Sequence, residues 1–323
     1  MQFKANNKTN NKIFDFSKYI VYIVFVLVLL LFAITLGGTF FSVSNLLNII
    51  RQTAVISIVA VTMTFVIATG QIDLSDGSTI ALTGLVAAVI LRSTNSILLA
   101  VIAALMLGVL IGAVNGLLIV VLKIPAFLVT LGTQLIVLGF AMWITKTVAV
   151  PITNKVFNAV FGGGTVGPVP VLLIWSLLMI VIGHIALNHT SYGKRILATG
   201  GNPTSAKYSG INVKKHIVLV MLFNSLAAAL GGLLYAGRMA TARYSYGSGA
   251  ELDAIAAVIL GGTAMAGGTG SVIGAGVGSL LLGIINNGLI IAGFNSSQQT
   301  IIKGVMIIAS VALSSVGSIK KES

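Results

Sequence analysis

The chain has 323 residues, of which 57% are hydrophobic and 8% charged, and its formal net charge is +13. A soluble domain is about 25% charged, so this composition excludes a soluble fold and predicts an all-α polytopic membrane protein. The absence of cysteine excludes disulfides, zinc thiolates and cysteine catalysis, and basic residues set between apolar runs fit the positive-inside bias, with no nucleic-acid partner.

Residues 1–18 carry Lys4, Lys8, Lys12 and Lys18 and read as a cytoplasmic N-terminal segment. The apolar run that follows is too long for a signal-peptide core and reads as a retained first crossing. At about 20 residues per crossing, about ten are expected. They fall near 19–37, 52–69, 78–91, 96–122, 126–145, 170–188, 216–237, 252–267, 271–292 and 298–317. Several are short, which predicts broken or re-entrant helices. An even count makes 19–317 the transmembrane domain and returns the tail 318–323, with Lys320 and Lys321, to the cytoplasm. It also puts the loop 189–215 inside, where Lys194, Arg195, Lys207, Lys214 and Lys215 agree with it. Arg238 and Arg243 fall outside and run against the rule.

Two short strings recur. "AAVIL" stands at 87–91 and 256–260, and "NGLLI" at 115–119 is echoed by "NGLII" at 287–291. Each pair lies five expected crossings apart. An odd offset reverses orientation, so the strings predict an inverted internal repeat with a pathway between its halves.

Catalytic signatures are missing. There is no G-x-x-x-x-G-K-[ST], H-E-x-x-H or G-x-S-x-G, and His184, His189 and His216 lack ligand spacing. No catalytic residue, metal site or cofactor is expected in the chain itself. Of six acidic residues, Asp15 and Glu322 are terminal. The others pair as Asp73 and Asp76 in "GQIDLSDGS" and Glu251 and Asp253 in "GAELDAIAA". Carboxylates near hydrocarbon suggest function. Asp and Ser at a helix start also accept orphan backbone N–H bonds, and the flanking glycines favour such capping at an interface. Amides stand inside apolar runs at Asn115, Gln134, Asn224, Asn286 and Asn287; they either touch a polar permeant or bond helix to helix. The candidate translocation pathway is Asp73, Asn115, Glu251, Asp253, Asn286 and Asn287. The glycines of 258–278 suit close helix packing, and Gly261-Gly262 and Gly267-Gly268 are able to break a helix.

One polar loop stands out, "ATGGNPTSAKYSGINVKK" at 198–215. Asn202-Pro203 is an N-cap followed by proline at the first helical position, and Gly210 is a stop signal. The pattern predicts a short helix between two glycine hinges on the cytoplasmic face, a docking element for a partner.

Three motifs in order carry a family resemblance over about Phe40 to Ala312. "IDLSDGS", "GGNPTSAKYSGINV" and "ELDAIAAVILGGTAMAGGTGSV", with "NNGL" behind them, resemble the permease subunit of bacterial monosaccharide ABC importers of the ribose type. The chain differs from the family's usual residues at Gln71, Asp76 and Thr269. The resemblance implies a second copy of the permease, an ABC ATPase subunit that binds ATP and Mg, and an extracytoplasmic sugar-binding protein that carries most of the specificity. It implies a multi-pass protein of the bacterial plasma (inner) membrane with both termini cytoplasmic. It also implies that Gly200, Gly201, Asn202, Pro203, Ala206, Ser209 and Gly210 form the ATPase-coupling helix. The cargo implied is ribose or a related monosaccharide. Autoinducer-2, nucleosides or branched-chain amino acids stay open, as does an ion-coupled secondary transporter.

Overall fold

A computed structural model describes residues 16–322, and side chains at 21–309, 311 and 312. Lys4, Lys8 and Lys12 of the expected N-terminal segment lie outside the described residues, and Lys18, Lys320 and Lys321 lie outside the described side chains. Five helices come first: α1 (Phe16–Phe40), α2 (Val43–Ala68), α3 (Asp76–Thr94), α4 (Ile97–Leu122) and α5 (Ala126–Thr145). A small irregular segment follows, with β1 (Val150–Pro151), α6 (Lys155–Asn158), a π turn at Ala159–Gly163, β2 (Thr165–Val166) and β3 (Val169–Pro170). Then come α7 (Val171–Asn188), α8 (Ser191–Gly201), α9 (Pro203–Tyr208), α10 (Val213–Met239) and β4 (Thr241–Ala242). The chain closes with α11 (Ala250–Leu260), α12 (Val272–Ile291) and α13 (Ser296–Glu322). β1 pairs antiparallel with β4 and β2 with β3.

Among the described residues eight helices are long and apolar enough to cross a bilayer: α1 to α5, α7, α10 and α12. The chain is a multi-pass membrane protein. The crossing expected at 252–267 is not one. α11 has 11 residues, about 16 Å at the α-helical rise, or half of a ~30 Å hydrocarbon core. The paired glycines after Leu260 stop it: Gly262 has φ 89°, and the chain returns through 261–271 to α12. α2 also differs from expectation. It starts at Val43, not near 52, because Ser42 caps it by accepting from Asn45 N at 3.4 Å. Asn45 is then turned inward to a partner on α12 and does not mark a loop.

Small residues set the packing. α4 presents Gly112 and Gly116 to α10 so closely that a methyl there would stand 2.6 Å from Met221 O and 2.8 Å from Val218 Cα. In lipid such approach is what holds helices together, because burial of apolar surface adds little. The α4 positions rise as the α10 positions fall, so the two helices are antiparallel. α2 and α12 are antiparallel as well: Ser57 meets Ser279 at 2.6 Å and Asn45 meets Asn287 at 2.9 Å.

The inverted repeat is visible in this packing. α3 and α4 lean on α10, whereas α11 and α12 lean on α2; α5 packs on α3, and α13 on α11. The helices α2 and α10 cross at the centre. Thr62 bonds Asn224 at 2.9 Å, while Val55 lies against Gly231. This opposite order makes α2 and α10 antiparallel. The set α10–α13 is therefore the set α2–α5 turned over, each half completing the other's core.

Candidate functional site

α3 begins inside the protein. Asp73, Ser75 and Asp76 are fully buried. Asp73 Oδ1 accepts from the Ser75 backbone N at 2.9 Å and from the Ser75 hydroxyl at 2.6 Å. The Ser75 hydroxyl accepts in turn from Asn115 Nδ2 at 3.0 Å, and Asn115 Oδ1 accepts from the Thr133 hydroxyl at 2.6 Å. From α10, Asn224 Nδ2 donates to Asp73 Oδ2 at 3.2 Å and lies 2.9 and 3.0 Å from the two oxygens of Asp76. One connected network thus joins α2, α3, α4, α5 and α10. Among the described residues no ion pair serves either carboxyl group.

The expectation for this pair is corrected in one respect. Asp73 and Asp76 do start a helix, but away from any interface. Of the glycines beside them, Gly77 is a site of close approach within the bundle, where a methyl would stand 2.5 Å from Gly247 O, while Gly70 lies exposed in the turn after α2 with φ 75°.

Glu251 lies next to this start. Its Oε1 accepts from Gln134 Nε2 at 3.1 Å; its Oε2 lies over Gly77, buried and without a hydrogen-bond partner among the described residues. The first turns of α3 and α11 meet here, near the centre of the bundle.

Asp253 and Asn286 go elsewhere. They line a cavity of about 380 Å³ at the end of the bundle where α2 starts and α10 ends. Asp253 Oδ2 pairs with Lys303 Nζ at 2.9 Å across the cavity wall, from α11 to α13. Gln52, Tyr235, Arg238 and Gln299 complete the polar lining. Arg238 Nη1 donates to Arg51 O at 2.8 Å and Gln299 Nε2 to Phe294 O at 2.8 Å. Asn287, one residue from Asn286, faces the other way. It exchanges bonds of 2.9 and 3.0 Å with Asn45 and clamps α12 to α2.

The six candidate pathway residues therefore divide. Asp73 and Asn115 share the sealed network, Glu251 adjoins it, Asp253 and Asn286 face the cavity, and Asn287 holds two helices together. Sequence reasoning noted Asp76, Asn224 and Gln134 without placing them in the pathway set. It noted Ser75 only as a helix-start residue and Arg238 only in the charge pattern, and it missed Thr133, Gln52, Tyr235 and Lys303. The amides carried a signal, being polar inside apolar runs. Gln52 and Tyr235 sit at run ends, where polar residues are ordinary. Among the described residues no three His, Cys, Asp or Glu side chains are grouped to hold a metal.

The polar loop folds as its caps dictate. Asn202 Oδ1 accepts from Ser205 N at 2.9 Å and Pro203 opens α9. After Ser209 the chain turns at Gly210, φ 80°, with Ile211 N bonded to Ala206 O at 3.0 Å. Ala206 is buried, while the rest of α9 is exposed, Tyr208 to 88%. The first of the expected hinges is absent. Gly200 and Gly201 end α8, and a methyl on Gly200 would overlap the Ala68 carbonyl oxygen at the end of α2. That oxygen accepts from Gly268 N at 2.9 Å. The segment 198–210, α2 and the loop after α11 meet there backbone to backbone.

Known proteins similar to this chain are membrane permeases. A family model described as the permease component of the branched-chain amino acid transport system matches residues 45–311. The chain is 43% identical over 291 residues to the ribose import permease protein RbsC of Escherichia coli K12, covering 88% of this chain and 90% of the relative. It is 37% identical over 289 residues to RbsC of Bacillus subtilis 168, covering 88% and 89%. It is 36% identical over 322 residues to the galactose/methyl galactoside import permease protein MglC of Escherichia coli K12, covering 94% and 95%. No solved structure matches the chain.

Proposed function

The chain belongs to this permease family, and we propose that it is the membrane subunit of an ATP-driven importer for a small sugar, ribose before other monosaccharides. The observation that carries the sugar is the likeness to ribose import permeases over most of the chain. In this reading the permease hydrolyses nothing. A partner ABC ATPase binds ATP and Mg, a second copy of the permease completes the pathway, and an extracytoplasmic binding protein delivers the sugar. The protein sits in the bacterial inner membrane with both termini cytoplasmic.

The geometry supports how force would enter. α9 is exposed apart from Ala206, capped at both ends and separated from α8 by the single residue Asn202. At Gly200 the segment bears on the end of α2 and on the loop 261–271. A push on α9 thus reaches both halves of the repeat: α2 directly, and α11 and α12 through the loop between them.

The test joins identity to coupling. The tagged chain is extracted in mild detergent, and the co-purifying proteins are examined for an ABC ATPase. Uptake of labelled ribose is then competed with unlabelled ribose, galactose, nucleosides and leucine. The reading expects the ATPase to follow the chain and monosaccharides to compete. Uptake that needs no ATPase and collapses with the proton or sodium gradient would overturn it, as would competition by leucine alone.

A further inference from the structure

We infer that the cavity between α2, α10, α11, α12 and α13 is a binding subsite for an uncharged monosaccharide within the permease itself. This rests on the sugar-importer reading, and adds to it that the permease recognises its cargo and does not merely let it pass.

Volume and lining both fit. At about 380 Å³ the space holds roughly a dozen waters at ~30 Å³ each, and it falls within the usual range of small-ligand sites. Its wall mixes polar and apolar side chains. A sugar presents hydroxyls, each able to donate and accept, around a ring edged with C–H groups. Side-chain amides are the matching partners, because each offers a donor and an acceptor together. Gln52 and Asn286 are only partly buried, and among the described residues neither side chain makes a hydrogen bond. They stand on α2 and α12 with their full bonding capacity unspent. Gln299 keeps its carbonyl oxygen, since only its amide nitrogen is engaged. Val55, Ile56 and Leu282 supply apolar wall for the ring.

Charge sets the class. Asp253 and Lys303 neutralise each other at 2.9 Å, so the pair offers hydrogen bonds without demanding a charged ligand. Arg238 is partly engaged by the Arg51 carbonyl. Arg238 leaves the lining with one positive charge beyond the Asp253–Lys303 pair, which disfavours an ammonium cargo, whereas the hydroxyls of a polyol accept from the guanidinium and bond around the pair. On the proposed orientation this end of the bundle faces the delivery side, since α2 starts there after α1 has crossed outward.

The cysteine-free chain makes the test direct. Asn286→Cys, Gln52→Cys and, as a control in the exposed segment beyond α6, Thr165→Cys are each made singly. The permease complex is reconstituted in nanodiscs, and the rate of labelling by a small hydrophilic thiol reagent is measured. Labelling at positions 52 and 286 is expected to slow about fivefold or more with millimolar ribose or galactose and to ignore leucine and ribose 5-phosphate. Position 165 should label at the same rate throughout. Labelling unmoved by sugars, in a complex that still imports them, overturns the subsite and leaves the importer reading standing. Failure of the reagent to reach positions 52 and 286 also overturns it. Protection by leucine or by the sugar phosphate, with no monosaccharide uptake, overturns both readings.

Discussion

Asn224 and Asp76 are joined by a two-point contact, with the Asn224 amide nitrogen 2.9 and 3.0 Å from the two carboxyl oxygens. The same nitrogen reaches Asp73 at 3.2 Å, and the Asn224 carbonyl takes the Thr62 hydroxyl at 2.9 Å. One side chain on α10 thus serves three groups on α2 and α3. Asn224→Leu removes both donor and acceptor while keeping volume. Each buried group left unsatisfied costs about 1–3 kcal/mol, so a loss of about 3 kcal/mol or more is expected, read as a lower thermal midpoint in detergent. Asp76→Asn keeps shape and one of the two acceptors facing Asn224, and should cost less than Asn224→Leu, about 1 kcal/mol. Equal stability of all three proteins would show the network to be incidental.

Gly200 and Gly201 are adjacent but not equivalent. A methyl on Gly200 overlaps Ala68 O, while one on Gly201 meets only Gly268 Cα at 3.6 Å. Gly200→Ala should abolish sugar uptake while the chain still binds its ATPase, and Gly201→Ala should import at close to the wild-type rate. Uptake and ATP hydrolysis measured on the same vesicles separate the two. Normal uptake by Gly200→Ala would remove the junction from the coupling route.

At the other end of α9 the constraint is conformational. Gly210 has φ 80° and open space around it. Gly210→Val meets no clash, yet a β-branched residue with left-handed backbone costs about 1–3 kcal/mol locally. The end of α9 should loosen while the bundle stays intact. The expected result is a permease at wild-type abundance in the membrane with uptake reduced several-fold and a weakened hold on the ATPase, checked by co-purification.

Asn286 and Asn287 give a paired test one residue apart. Asn287→Leu breaks the reciprocal bonds with Asn45 and leaves that amide half-satisfied. Side-chain bonds between membrane helices average about 0.6 kcal/mol with a maximum near 1.7, so a loss of about 1 kcal/mol is expected with sugar preference unchanged. Asn286→Leu should leave stability alone and raise the KM for sugar uptake. Reversal of the two outcomes would mean that the cavity wall has been misassigned.

Much of the fold was legible because membrane spans announce themselves: a run of apolar residues is long or it is not. The inverted repeat showed through two five-residue echoes, one on α3 and α11, the other on α4 and α12. The break after Leu260 was legible as paired glycines. Its consequence, that α11 stops halfway, was not, since an apolar run records hydrophobicity and not direction. The same limit hid the burial of Asp73 and Asp76. Their neighbours are glycines, which suit an exposed turn and a tight helix crossing equally well; only the packing of α10 over them decides. Asn202, Pro203 and Gly210 act locally, through backbone angles and caps, and the structure places α9 where they direct. Gly200 was misread as a hinge because its partners, Ala68 and Gly268, are distant in sequence.

The turned-over repeat gives the two polar places a common origin. Exchange α2–α5 with α10–α13 and α3 takes the position of α11, so the start of α3, held by the sealed network, corresponds to the start of α11 beside the open cavity. The molecule therefore holds, in a single conformation, one helix start that is sealed and an equivalent one that borders an open cavity. A rocking motion that let the halves trade roles would close the cavity over the start of α11. It would also unseal Asp73 and Asp76 toward the opposite face, so that an import cycle needs two poses of one scaffold and no third kind of gate.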